Sequence, residues 1–181
     1  MAIEFSQDLI EEAKEHVLKI QHGHPDFHFI PAQNWHLTLH FFGPLSQESI
    51  ALLKDPISSA CSQLSPFSLS ISGLGVFPAS RRADLIWLGI SGDLDRLQRL
   101  KMTLDETLKK MNFAVEERPF HPHVTVARSK KACEIDLRYN LRSTKTCIID
   151  RVVLFKSILL AGGARYEVLY SFPLIASATT Y

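Results

Sequence analysis

One pattern constrains this chain more than any other. His-x-Thr occurs twice, in "NWHLTLHFFG" (residues 34–43) and in "RPFHPHVTVAR" (residues 118–128), each time inside a run that alternates polar and apolar residues. Alternation with a period of two belongs to a strand, where residues i and i+2 share a face. His36 and Thr38 therefore stand side by side, as do His123 and Thr125, while Leu37, Leu39, Val124 and Val126 face a core. Two such strands, each preceded by a helix, are expected of a weak internal duplication: two lobes facing each other across a cleft, each contributing one motif.

The remaining segments fit that outline. Ser6 precedes a run in which Leu9, Ile10, Ala13, Val17 and Ile20 recur at helical spacing, ended by His22-Gly23-His24-Pro25. A second helix opens at Ser46, with Ile50, Leu53, Ile57, Ala60 and Leu64 inward and a bend or break expected near Pro56. A third runs from Leu94 to Met111, with Leu94, Leu97, Leu104, Leu108 and Met111 on one face. Strands are expected at AIEF, near residues 27–30, and at WHLTLHFF, PFSLSISGL, ADLIWLGI, HVTVA, CIIDRVVLFKS and YEVLYSFPL. Helices and strands do not alternate one for one, so the fold class is α+β rather than a doubly wound parallel sheet. At 181 residues and 46% hydrophobic, the chain can bury a real core in one domain or two closely packed lobes.

Charge narrows the partners. With 20 Lys+Arg against 19 Asp+Glu, the net charge is +1, too small for a global field that would hold duplex nucleic acid, so any polyanion specificity is local. Cys61, Cys133 and Cys147 are widely spaced and lack a CxxC pair, which argues against a disulfide framework and for a reducing cytoplasm. The stretch MAIEFSQDLIEEAKEH does not read as a secretory signal, and no apolar run approaches the roughly 20 residues of a membrane helix.

Two histidines can serve as general acid and general base near neutral pH, because the free imidazole titrates at about 6.5. In-line displacement at phosphorus needs its nucleophile and leaving oxygen on opposite sides, which histidines from opposite walls of a cleft would supply. Short, χ1-restricted threonines can donate hydroxyl hydrogen bonds to the non-bridging oxygens, and Arg128 can add a bidentate cationic contact.

These two motifs, with "ILLAGGARYEVLYSFPL" (residues 158–174), closely resemble the bacterial RNA 2′,3′-cyclic phosphodiesterases once called 2′-5′ RNA ligases, within the 2H phosphoesterase superfamily. The resemblance covers nearly the whole chain. It implies a bilobal α+β fold, with two pseudo-symmetric antiparallel sheets and flanking helices around a central cleft, and makes residues 1–181 one 2H phosphoesterase domain of two intertwined lobes. It also implies metal-independent hydrolysis of RNA 2′,3′-cyclic phosphate ends to the 2′-phosphomonoester, with reversible 2′-5′ ligation in some members. Carried over, His36 resembles the proton donor to the departing 3′ oxygen and His123 the base that activates water. Thr38 and Thr125 would bind phosphate, with Phe120 and Arg128 lining the pocket. No cofactor or metal is expected, and the protein is read as a cytoplasmic monomer that acts on RNA or oligonucleotide ends and not at a membrane.

Two rival readings attach to the same residues. One is a non-catalytic module that binds an RNA end or nucleotide phosphate without turnover. The other is a metalloenzyme using His36, His40, His121 and His123, weakened by the scarcity of carboxylates around the motifs. His40 reads as a neighbour of the site or a packed side chain, and His121 as a residue that orients its loop. His22, His24 and His28 read as exposed loop residues. Arg81 and Arg82 fall in a loop between strands, either gripping an RNA backbone or simply solvated. Arg118, Arg128, Lys130 and Lys131 suggest a basic rim beside the second motif. Trp87 is expected in the core, and Trp35 is left open between core and base stacking.

Overall fold

The computed structural model describes residues 1–135, 141–160 and 163–175. The chain begins with β1 (Ala2–Ile3), α1 (Gln7–Gln21), β2 (His28–Phe29) and β3 (Leu37–Thr38). Next come α2 (Gln47–Ser62), β4 (Phe67–Phe77), β5 (Ala83–Gly92) and α3 (Leu94–Lys110). It closes with β6 (His123–Cys133), β7 (Cys147–Ile149), β8 (Arg151–Leu160) and β9 (Gly163–Pro173). Short 3-10 turns occupy Ala32–Asn34, just before the first motif, and Ser80–Arg82, between β4 and β5.

The strands run β7-β4-β5-β6-β3-β1-β8-β9, with β2 added beside β6, and every pairing is antiparallel. The α+β fold thus has two halves, β7-β4-β5-β6 and β3-β1-β8-β9. They are seamed into one nine-stranded sheet where Leu37 lies opposite Val124. Each half carries one His-x-Thr motif, on the strand at the seam. The motifs are therefore neighbours across the seam, one contributed by each half. Strand order across a chain is set by long-range packing, which local periodicity does not encode.

The helices form where their apolar stripes dictate. Leu9, Ile10, Ala13, Val17 and Ile20 are the buried residues of α1, as the spacing predicts. The Ser46 hydroxyl caps α2 by accepting the Ser49 N–H (3.2 Å). This helix continues through Pro56 instead of breaking there, with Leu53, Ile57, Ala60 and Cys61 buried on both sides of the proline. Each fully buried aliphatic side chain contributes on the order of 1.5–3 kcal/mol, enough together to outweigh the roughly 3 kcal/mol cost of an interior proline. On α3, Leu97, Leu100, Leu104 and Leu108 are buried, whereas Leu94, expected inward, is exposed at the first turn.

These stripes join Leu37, Leu69, Ile71, Ile86, Leu88, Val124 and Val126 in the main core. Ala2, Leu85 and Val153 are also buried but lie outside that cluster, consistent with strand positions on the other side of the sheet. The first motif strand is shorter than WHLTLHFF suggests. Beyond Thr38 its ladder ends, because Leu39 and His40 both donate their N–H to the Met1 carbonyl (3.0 and 3.2 Å). Two amides on one acceptor break the alternation, which is why His40 is buried.

Candidate active site

Since Leu37 and Val124 are cross-strand partners pointing into the core, their neighbours point the other way. The antiparallel register then sets His36 opposite Thr125 and Thr38 opposite His123. Each histidine has a threonine beside it on its own strand and another across the seam, with the second histidine on the diagonal. Cross-strand partners have Cα atoms about 4.5–5.5 Å apart and diagonal neighbours about 7–8 Å, a span that one phosphate can bridge.

Both imidazoles are held in the same way. The Nδ1–H of His36 donates to the Asn34 carbonyl (2.9 Å), and that of His123 to the His121 carbonyl (2.6 Å). A carbonyl can only accept, so Nδ1 carries the hydrogen and Nε2 is left for proton transfer. Asn34 also acts through its side chain, whose amide donates to the Ala164 carbonyl (2.8 Å) and ties the 3-10 turn to β9. Burial holds His36 below the usual histidine range, opposed by the hydrogen bond to Asn34, which favours the cation.

Each histidine is also flanked by two aromatic rings from a long hairpin. His36 lies 5.7 Å from Phe155 and 4.8 Å from Tyr166, centroid to centroid, on the β8–β9 hairpin. His123 lies 5.4 Å from Phe77 and 6.3 Å from Trp87 on the β4–β5 hairpin. Sequence reasoning missed Phe77, Phe155 and Tyr166, and it assigned Trp87 to the core. Strand parity carried the signal: Trp87 falls between Ile86 and Leu88, both fully buried, so it belongs to the opposite face. The other tryptophan is the core one, with Trp35 buried and its Nε1–H donating to the Ile30 carbonyl (2.9 Å).

A bulge decides where Arg128 points. Three residues beyond Thr125, it would face the core if β6 alternated regularly. Thr125 pairs with Trp87 and Ala127 with Ile86, so two steps on β6 match one on β5. Val126 and Ala127 are accordingly both fully buried. Alternation restarts one residue late, setting Arg128 opposite Leu85 on the face of the histidines.

The other expected residues have contacts of their own. Phe120 packs against the core beneath Lys101, whose Nζ is 5.7 Å from its ring centroid. Lys101 is buried and paired with Asp105. His121 is exposed and contributes its carbonyl to His123. His40 packs on Phe42 at 4.4 Å, and its pKa is pushed down to about 4, chiefly by burial. Arg118 leaves the basic rim, since its guanidinium is engaged with Glu116 (2.6 Å). Among the described residues, no group of three or more His, Cys, Asp or Glu side chains is placed to hold a metal ion, and no helix is long and apolar enough to cross a membrane.

Comparisons with known proteins bear on the family and the fold. The sequence pattern of the 2′-5′ RNA ligase superfamily matches residues 4–157. An RNA 2′,3′-cyclic phosphodiesterase of Aeropyrum pernix is 31% identical over 144 residues, spanning 76% of this chain and 81% of its own. One from Thermotoga maritima is 27% identical over 177 residues, spanning 94% and 91%. Among solved structures, a Thermus thermophilus protein shares the fold with a TM-score of 0.84 at 21% identity, over 97% of each chain. Escherichia coli LigT complexed with 3′-AMP superposes with a TM-score of 0.76 at 25% identity, over 96% of this chain and 95% of its own.

Proposed function

The chain belongs to the 2′-5′ RNA ligase superfamily, and from that premise we propose that it hydrolyses RNA 2′,3′-cyclic phosphate ends to 2′-phosphomonoesters by paired acid–base catalysis at His36 and His123. The observation that carries the proposal is the Leu37–Val124 register, which sets two histidines and two threonines on the diagonals of one small patch. The names of the relatives, RNA 2′,3′-cyclic phosphodiesterases, support the substrate class.

In this mechanism the cyclic phosphate sits over the seam, its non-bridging oxygens accepting hydrogen bonds from Thr38, Thr125 and the Arg128 guanidinium. His123 Nε2 takes a proton from water as the water oxygen bonds to phosphorus. The bond from phosphorus to the 3′ oxygen breaks on the far side, and His36 Nε2 delivers its proton to that oxygen. The phosphate remains on the 2′ oxygen, and exchange of one proton with solvent resets the pair. A 5′-hydroxyl in place of water would give a 2′-5′ bond by the same transfers. Each positioned transfer is worth roughly 100- to 10,000-fold, and no step calls on a metal. The reading further takes the protein to act as a monomer in the cytoplasm. The free thiols of Cys61, Cys133 and Cys147 support that compartment.

Chelator-treated protein is expected to convert a cyclic-ended oligonucleotide to its 2′-phosphate, followed by phosphorus NMR. Histidine-dependent binding with no product over long incubation would favour the binding-module reading instead. The pH dependence tests the pairing. One histidine must be neutral and one charged, so kcat/KM is expected to trace a bell. Burial disfavours the His36 cation, so its limb should lie on the acid side of an ordinary histidine. Bound phosphate anion favours that cation, so the corresponding limb in kcat should move to higher pH. Absence of any histidine limb in kcat/KM would contradict the mechanism.

A further inference from the structure

The four motif residues are arranged with near two-fold symmetry, yet an RNA end approaches from one side only. We propose, resting on the function above, that the single strand leading to the cyclic end lies along a basic strip formed by Arg128, Lys130, Lys131, Arg81 and Arg82. The strip runs over the β4–β5–β6 side of the sheet and fixes the orientation of the substrate.

Backbone geometry brings these cations together. Arg81 and Arg82 lie in the 3-10 turn that joins β4 to β5, the hairpin whose Phe77 and Trp87 flank His123. That turn is fastened to the far end of β6, where Ala83 pairs with Cys133 and the Ile135 N–H donates to the Ser80 carbonyl (2.8 Å). The turn therefore lies beside Lys130 and Lys131, and the bulge sets Arg128 between them and the histidines. Four steps of β5, from Trp87 to Ala83, match β6 from Thr125 to Cys133, about 13 Å at roughly 3.3 Å per residue, a length that accommodates the phosphates next to the cyclic end.

Charge distinguishes this side from its counterpart. All five cations are exposed, and among the described residues none of their side chains makes an ion pair or hydrogen bond, although Asp84 and Glu134 lie on the same segments. On the other half, Arg151 is paired with Asp150 and Arg165 with Glu167, which leaves Lys156 as the single unpaired cation of β8 and β9 among the described residues. The β8–β9 hairpin beside His36 ends in exposed Leu159 and Leu160. A polyanion gains from the first side and nothing comparable from the second. Unpaired cations in a row beside a phosphate site suit a single-stranded backbone, whose binding rests on phosphate contacts and aromatic surfaces.

The test compares a 2′,3′-cyclic mononucleotide with a cyclic-ended oligoribonucleotide, using wild type, R81A/R82A and K130A/K131A over a range of salt. Each phosphate contact adds about 0.7 to the magnitude of the log–log salt slope for a single strand. The wild type should therefore favour the oligonucleotide, most strongly at low salt. Each double variant should lose about tenfold or more of kcat/KM on the oligonucleotide, with a shallower slope, and little on the mononucleotide. K156A/R165A, on the other hairpin, should leave both unchanged. Equal losses on both substrates, or none, overturn the strip. So does poly-glutamate of matching charge competing as well as RNA. If the wild type turns over neither substrate, the proposed enzyme activity fails, and the strip is decided by oligonucleotide anisotropy: affinity equal in wild type and variants overturns it, and weakened binding in the variants supports it.

Discussion

Replacing His123 by alanine is expected to lower kcat on a cyclic-ended oligonucleotide by roughly 100- to 10,000-fold, and His36→Ala by a similar factor. The double variant should fall little further than the worse single one, because the two proton transfers belong to one transition state and their effects do not multiply. Both rings are only partly buried, so the variants should keep the helix and strand content of the parent, which circular dichroism checks. Orientation adds a finer expectation. Each ring depends on a carbonyl two residues earlier in the chain, so glutamine, which has no ring to hold in that tautomer, should not restore the rate. Full activity in either alanine variant would remove paired histidine catalysis from consideration.

The second large effect is expected at a residue with no side chain. Gly75 pairs with Trp87 across the β4–β5 hairpin, and a Cβ at this position would overlap the indole ring. The ring has little room to move, since Phe77 lies 5.3 Å from it and His123 6.3 Å. Gly75→Ala should therefore cost about 1–3 kcal/mol of stability, the usual range for overpacking. It should also lower kcat, because the wall beside His123 shifts. Denaturant unfolding measures the first effect. Tryptophan emission in a Trp35→Phe background reports the displacement of Trp87 itself. An unchanged midpoint together with unchanged kcat would mean that the indole turns aside freely, and the glycine would then have no bearing on the site.

Much of this arrangement is legible in the residues. The alternation around His36 and His123 puts Leu37, Leu39, Val124 and Val126 in the core, where all four are buried. The stripe of α1 reads residue for residue. What escapes is everything that depends on one segment meeting another. The spacing that turns Arg128 to the face of the histidines works only because of the extra residue in β6, and a bulge forms in response to the partner strand. Pro56 reads as a breaker because propensity is local, while the burial on both sides of it is not. Phe155 and Tyr166 go unnoticed because an aromatic residue in a strand gives no sign of which histidine it will meet after a long excursion of the chain.

The pairing of Leu37 with Val124 makes the site a readout of alignment. If β3 slid by one residue against β6, His36 and Thr38 would turn into the core and leucine would surface in their place. A slide of two would restore the face but could set histidine against histidine, with no threonine opposite either. Only one offset gives both rings their cross-strand hydroxyl. Whatever stabilises that offset, down to Ala2 bridging Thr38 and Val153 at the middle of the sheet, acts on the chemistry without touching the substrate.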